Sequence, residues 1–230
     1  MSDLRLAGQG KGRRLRALLT NPQYLMVYAT IGIFLMIYLF GALLYGNKGF
    51  TSVRTFMLFF SDNAYIGISA VGMTLVLITG GIDLSVAAVA SLTGMIIAFG
   101  TSVLGLHPLV CIGIALVVGV GLGALMGACI QYLNVPPFIT TLTGMFFARG
   151  VTSLISRESI SIKHEMIDAL AGFKIYLMWP NAQGEWVKIK PVASIDLNTI
   201  AFVVMIIIGA IILQKTRFGR NVYAIGGNEQ

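Results

Sequence analysis

Gly80-Gly81-Ile82-Asp83-Leu84-Ser85 is the stretch that decides how this chain folds. It places one carboxylate in a long uncharged run, because residues 63–79 and 86–148 contain no Asp, Glu, Lys or Arg. A carboxylate at membrane depth costs about 2.5–3.5 kcal/mol, so it needs a reason to be there. The two glycines allow one helix to stop and another to start. The stretch therefore predicts a broken or tightly turned transmembrane element with a polar centre, which in membrane proteins usually serves transport.

The composition around this stretch is that of a polytopic membrane protein. Of 230 residues, 57% are hydrophobic and 11% are charged, whereas soluble domains carry about 25% charged residues. The net charge of +7 comes largely from basic residues that flank the apolar runs: Arg5, Lys11, Arg13, Arg14 and Arg16 before the first, and Lys215, Arg217 and Arg220 after the last. Such flanks set membrane orientation and predict a cytoplasmic N-terminus and no nucleic-acid binding.

Catalytic and metal-binding patterns are missing from the sequence. The chain has two histidines and two cysteines, so a zinc site built by the protein is not expected. Cys111 and Cys129 lie about 27 Å apart if their segment is helical, too far for a disulfide, and we expect them to be small buried residues. The sequence has no P-loop and no catalytic triad, so we expect no enzymatic activity, no metal and no cofactor bound by this chain.

The apolar runs predict an all-α bundle with about six transmembrane spans. The predicted parts are a basic cytoplasmic tail (1–22), a transmembrane permease domain (23–214) and a cytoplasmic segment (215–230). The predicted spans are residues 24–45, 64–79, 84–104, 109–132, 138–156 and 197–214. The segment 64–79 is short for a bilayer, which predicts a discontinuous or re-entrant helix. An interfacial helix is expected near residues 52–60.

The long polar segment 157–196 is expected outside the cell. Within it, residues 173–179 and 185–189 flank Pro180-Asn181-Ala182-Gln183-Gly184, which predicts a short β-hairpin.

Several residues inside the spans allow more than one interpretation. Asp83 caps the helix that starts near Leu84, or lines a substrate route, or does both. Arg149 pairs with carbonyl groups or with Asp83, or acts in a pore. Thr140, Thr141 and Thr143 offer hydroxyls to a polyol or bond to carbonyls of their own helix. A four-residue glycine spacing predicts close helix packing at Gly119, Gly123 and Gly127.

Three motifs resemble those of one family. Residues 71–86, which include the opening stretch, are similar to the hallmark of permease subunits of ribose-type ABC sugar importers. Val135-Pro136-Pro137-Phe138-Ile139-Thr140-Thr141-Leu142 followed by Arg149-Gly150 resembles their second signature, and residues 216–228 resemble their cytoplasmic loop. The sequence near residues 61–64, 144–147 and 159–162 is most similar to that of bacterial galactofuranose permease subunits. Family members usually have glycine where this chain has Ala87, and they continue through further spans, so the resemblance implies a C-terminally truncated chain.

The resemblance implies a place in the bacterial inner membrane and a set of partners. These are a cytoplasmic ABC ATPase that uses ATP, a second identical or different permease subunit, and a periplasmic or lipid-anchored sugar-binding protein. The implied substrate-pathway residues are Gly80, Gly81, Asp83, Ser85, Thr140 and Arg149. The implied ATPase-docking residues are Arg217, Phe218, Gly219, Arg220, Gly226, Gly227 and Asn228.

Two alternatives to a sugar permease remain open. In an ion-coupled secondary carrier, Asp83 would be the coupling carboxylate. A permease of the same superfamily could instead carry a branched-chain amino acid.

Overall fold

A computed structural model describes residues 22–180, 186–188 and 193–227, and most of these residues are helical. The helices are α1 (Pro22–Tyr45), α2 (Val53–Ile78), α3 (Val86–Ser102), α4 (Pro108–Leu133), α5 (Pro137–Ile155), α6 (Glu165–Gly172), α7 (Leu197–Lys215) and α8 (Arg217–Gly227). The short strands are β1 (Lys174–Tyr176), β2 (Met178–Pro180), β3 (Trp186–Lys188) and β4 (Ser194–Asp196). The predicted basic tail lies almost wholly outside the described residues. The chain divides into two compact units, one up to Phe56 and one from Met57.

In the first unit, the chain reverses after α1 through a 3-10 turn at Gly46–Lys48. Phe50 then packs on α1, with its ring against Gly41 and 5.5 Å from the ring of Tyr38, centroid to centroid. The glycine leaves the space that the aromatic ring fills.

Helix α2 is longer than the sequence predicts. Instead of a helix near residues 52–60 and a separate short span at 64–79, one continuous helix of 26 residues runs from Val53 to Ile78. The prediction of a short re-entrant segment here is therefore wrong. The polar residues Asp62 and Asn63 lie between the two predicted segments, and the Asn63 side-chain amide donates to the Phe59 carbonyl at 2.9 Å. The Asn63 amide therefore finds its acceptor within the helix, so this polar residue does not end α2.

The short helix lies on the other side of the break. Helix α3 has 17 residues instead of the predicted 21, because Leu84 and Ser85 belong to the preceding turn and Val103 is the C-cap. At 1.5 Å per residue it is about 26 Å long, below the roughly 30 Å of a hydrocarbon core. In the described part of the chain, five helices are long and apolar enough to cross a membrane, namely α1, α2, α4, α5 and α7.

The core of the second unit is formed by α3 packed on α4 and α5. Its fully buried side chains include Ala88 and Leu92 of α3 and Ala148 of α5. Cys111 is buried in α4, with its sulfur close to Gly100, as expected for a small apolar residue, whereas Cys129 is half-buried. Both thiols are free.

The predicted hairpin of the polar segment is present. Strands β2 and β3 pair antiparallel, with Trp179 opposite Val187, while the connecting residues 181–185 lie outside the described part. A second antiparallel pair, β1 with β4, was not predicted from the sequence; it places Lys174 opposite Asp196.

Asp196 ends β4 and caps α7. One of its carboxylate oxygens accepts from the backbone N–H of Thr199 at 3.0 Å and from the Thr199 hydroxyl at 2.7 Å. The other accepts from the hydroxyl of Ser61 on α2. Partial burial by itself raises the pKa of Asp196, but the hydrogen bonds from Ser61 and Thr199 outweigh it and hold the pKa below the usual value of 3.8.

We expect Asp196→Ala to lower the free energy of unfolding by about 1 kcal/mol, because an N-cap is lost. Since the folded-state pKa is lowered, the stability from the carboxylate is present above about pH 4 and is lost as the pH falls through the folded pKa. The difference in thermal midpoint between the wild type and Asp196→Asn in detergent should therefore shrink from pH 7 to pH 3. Glu158→Gln, at an exposed carboxylate, is the control. A difference that stays constant with pH would contradict the assignment.

Candidate functional site

The break between α2 and α3 (residues 79–85) begins with a Schellman motif. The N–H of Gly81 bonds to the Val76 carbonyl at 3.0 Å, and the N–H of Gly80 bonds to the Leu77 carbonyl at 3.1 Å. This 6→1 and 5→2 pattern needs a left-handed residue just after the helix. Gly80 supplies it with a φ of +78°. The two glycines therefore end α2, as the sequence predicts.

Asp83 holds the second half of the break together. One carboxylate oxygen accepts from the backbone N–H of Ser85 at 2.8 Å and from the Ser85 hydroxyl at 2.7 Å. This is an Asx turn closed at the N-cap residue of α3. The capping interpretation is therefore wrong: the N-cap of α3 is Ser85, and Asp83 accepts from Ser85 rather than from an N–H of the first helical turn. Ser85 is fully buried, whereas Asp83 is only half-buried.

The exposed side of Asp83 faces a cavity of about 630 Å³ between α2 and α3. Its lining includes the hydroxyl-bearing residues Tyr65, Ser69 and Ser91. The Ser69 hydroxyl donates to the Tyr65 carbonyl at 2.8 Å, which leaves its oxygen free to accept. The sequence analysis did not identify Tyr65, Ser69 and Ser91. For Tyr65 and Ser69, the available signal was their four-residue spacing along α2, which continues at Met73.

Asp83 also lines a second cavity of about 320 Å³ between α3 and α4. Thr93, Gly119 and Gly123 contribute to its wall. Among the residues lining the two cavities, Asp83 is the one that carries a formal charge. The break therefore places a single carboxylate between two cavities that are otherwise lined by apolar, hydroxyl and glycine residues.

The glycine spacing of α4 does not produce the predicted close packing within the described residues. A methyl group added at Gly119 would contact Thr93 at an ordinary 3.5 Å, and one at Gly123 or Gly127 would meet no atom within 4 Å. The close approach occurs instead at Gly144 of α5, where an added methyl would overlap the sulfur of Met126. Packing by the ladder itself stays a prediction for a neighbour outside this part of the chain.

The threonines at the start of α5 bond to carbonyls of their own helix region. Thr140 is buried and donates to Pro136 at 3.3 Å, away from the cavities of Asp83. The Thr141 hydroxyl lies 2.9 Å from the Pro137 carbonyl and 3.1 Å from that of Ile82. Thr141 thus links α5 to the break, a contact that the sequence did not reveal.

Arg149 is exposed on α5, and among the described residues it forms no ion pair with Asp83. The described residues therefore contradict the interpretation of Arg149 as the partner of Asp83. Thr141, which contacts the break, is eight residues earlier on α5, so about 12 Å of helix separates the two positions.

Helix α8 carries the residues of the third motif. Gly219 is buried against the carbonyls of Ile212 and Leu213, and the Thr216 hydroxyl accepts from its N–H at 3.1 Å. On the outer side, Arg217, Phe218 and Arg220 are exposed. Gly226 lies against the end of α2, and Gly227 has open space beside it. Asn228 lies outside the described residues.

Comparison with known proteins places the chain in a transport family. Residues 55–230 match the family described as branched-chain amino acid transport system / permease component. The chain is 42% identical over 199 residues to the inner membrane ABC transporter permease protein YjfF of Escherichia coli, covering 86% of this chain and 56% of the relative. It is 33% identical over 211 residues to the fructose import permease protein FruG of Bifidobacterium longum (90% and 58%). It is 31% identical over 186 residues to the ribose import permease protein RbsC of Escherichia coli (80% and 53%).

The chain thus spans about half the length of these curated relatives. No solved structure matches it. The apolar helices, the glycine-ended break before Asp83 and the family match agree with the resemblance found in the motifs. This chain therefore belongs to the family described as branched-chain amino acid transport system / permease component and is a multi-pass membrane protein.

Proposed function

We propose that this chain forms part of the membrane-spanning permease of an ABC importer that carries a neutral monosaccharide into the cytoplasm. The observation that carries the proposal is the position of Asp83, a carboxylate at a break between membrane helices that faces two cavities. A sugar needs hydrogen-bond partners rather than a counter-charge, and the cavity walls offer hydroxyls and one carboxylate. Relatives named for ribose and fructose import support the substrate class. The finer substrate that we propose is galactofuranose, on the motif resemblance.

The proposed mechanism is alternating access in the inner membrane. A separate cytoplasmic ATPase binds and hydrolyses ATP and moves the helices through α8, whose exposed face carries Arg217 and Arg220. A sugar-binding protein delivers the cargo at the outer segment 157–196, and a second permease subunit completes the pathway. The basic residues at both ends of the chain support a cytoplasmic N-terminus.

The second candidate, an ion-coupled carrier, is favoured by one observation. Asp83 is the charged residue at both cavities, which is where a coupling carboxylate would lie. Against it, one oxygen of this carboxylate already accepts two hydrogen bonds from Ser85. A branched-chain amino acid fits the cavities less well, because its ammonium and carboxylate groups need two opposite charges.

The energy source separates the two candidates. In proteoliposomes that contain the whole transporter with its ATPase and binding protein, we expect uptake of radiolabelled sugar to fall to background without internal ATP. Uptake should continue when an ionophore collapses the membrane potential and the proton gradient. Competition by unlabelled galactofuranose, ribose, fructose and leucine identifies the cargo. Uptake that persists without ATP and stops with the ionophore would overturn the importer proposal in favour of the carrier.

A further inference from the structure

Helix α8 touches the membrane helix that ends at the break. A Cβ atom on Gly226 would overlap the carbonyl oxygen of Ile78, the last residue of α2, and would lie 2.9 Å from the Ile78 carbonyl carbon. It would also lie 3.6 Å from the Cα of Thr79. These are backbone atoms, which cannot move aside as the end of a flexible side chain does. Only glycine fits at position 226 in this arrangement.

One face of α8 is shaped for this contact. Gly219, Val222 and Gly226 are three and four residues apart, so they share one side of the helix. Gly219 meets α7 and Gly226 meets α2, while Val222 between them is buried. The large residues Phe218, Tyr223 and Ile225 flank this side of the helix and are all more than half exposed. Helix α8 therefore contacts α7 and α2 through the two glycines of this face.

The contact at Ile78 connects directly to Asp83. Gly80 and Gly81 bond back to the last turn of α2, so the break moves with the end of that helix. On its far side, the Ile82 carbonyl lies 3.1 Å from the Thr141 hydroxyl, and the Ser85 N–H donates to Asp83. A displacement of α8 would thus reach the cavity wall through five residues of hydrogen-bonded backbone.

We infer that Gly226 is a positioning residue through which α8 sets the conformation of the break at Asp83. The inference rests on the proposed function, because it assumes that a cytoplasmic partner moves α8. On this account, the residue is a glycine because the two backbones must meet without a side chain between them, and it does not itself contact ATPase or cargo.

The test compares Gly226→Ala with Gly72→Ala in the whole transporter with its ATPase and binding protein. Gly72 is in α2, and a methyl group added there meets no atom within 4 Å. Three quantities are measured: uptake of radiolabelled ribose, fructose and galactofuranose, ATPase co-purification, and thiol labelling of Ile82→Cys with and without ATP. The labelling uses a background in which Cys111 and Cys129 are alanine, and the same background without Ile82→Cys is subtracted.

For Gly226→Ala we expect uptake at least tenfold lower, normal ATPase co-purification, and labelling at position 82 that no longer responds to ATP. A merely structural role would not abolish the ATP response while leaving assembly intact. Gly72→Ala should match the wild type in all three. Wild-type labelling and uptake in Gly226→Ala, an equal loss in both variants, or loss of the ATPase from Gly226→Ala would each overturn the inference.

If Gly226→Ala does not accumulate in the membrane, Val222→Ala replaces it, because it loosens the same face of α8 without creating an overlap. It should weaken the ATP response at position 82, and an unchanged response would overturn the inference. Failure of the proposed function is distinguishable, since the wild type would then import none of the sugars. The labelling measurement needs no cargo and still reports on the contact.

Discussion

Replacing Asp83 by asparagine is expected to lower sugar uptake by roughly tenfold to a hundredfold while the amount of protein in the membrane stays unchanged. Asparagine keeps an oxygen that accepts from the Ser85 N–H and hydroxyl, so the turn before α3 is retained. It removes the negative charge that faces both cavities. A hydrogen bond to a charged group contributes about 1.5–3 kcal/mol, and about 1.4 kcal/mol corresponds to a tenfold change in rate.

The measurement is initial uptake of radiolabelled sugar, normalised to the permease found in the membrane. Asp83→Ala removes both the charge and the turn, so it should reduce uptake and also the amount of folded protein. Asp62→Asn changes an exposed carboxylate of α2 outside the cavities and is the matched control. Normal uptake in Asp83→Asn would show that Asp83 serves only to form the turn. Loss of the protein from the membrane would show that the charge of Asp83 is needed for a stable structure.

Reversing the charge of Arg217 and Arg220 together is expected to release the ATPase from the membrane subunit and to reduce uptake to background. Both side chains are exposed at the start of α8, beside the exposed Phe218. A double change to glutamate alters the charge of this surface by four units. Placing like charges opposite one another across an interface costs several kcal/mol, which is enough to prevent assembly.

Co-purification of the ATPase on a tagged permease is the direct measurement. The matched control is Arg217→Lys with Arg220→Lys, which keeps the charge and should keep at least part of the binding. Unchanged recovery of the ATPase with the glutamate variant would refute docking at this helix.

The sequence predicted the local structure of the break better than its surroundings. Two consecutive glycines at the end of an apolar run are typical of a helix C-terminus, and the bonds of Gly80 and Gly81 confirm one. The sequence predicts a helix near residues 52–60 separate from the span at 64–79, with residues 62–63 between them, and that separation is wrong. An asparagine that bonds to a carbonyl four residues earlier can lie inside a helix, and nothing in the local sequence distinguishes that case from a turn.

The cavities and the close contacts between helices could not be predicted from local sequence. Gly119, Gly123 and Gly127 have the spacing of a packing motif, yet an added methyl group would overlap backbone atoms of another helix at Gly219 and Gly226. Spacing along one helix says which residues share a face, but it does not say which helix approaches that face. Tyr65, Ser69 and Ser91 are candidate site residues only because the tertiary structure places them beside Asp83 in the wall of one cavity.

The sequence by itself determined that this is an apolar chain of membrane-crossing helices, with a glycine-ended helix just before a lone carboxylate. Composition is a property of the residue list, and backbone capping depends on residues that are adjacent in the chain. Both can therefore be worked out from the sequence. Only the tertiary structure decided that the helix before the break is long and the one after it short, that Asp83 faces two cavities, and that Gly226 meets the end of α2. Each of these depends on how closely segments far apart in the chain approach one another, and that distance results from packing the whole bundle.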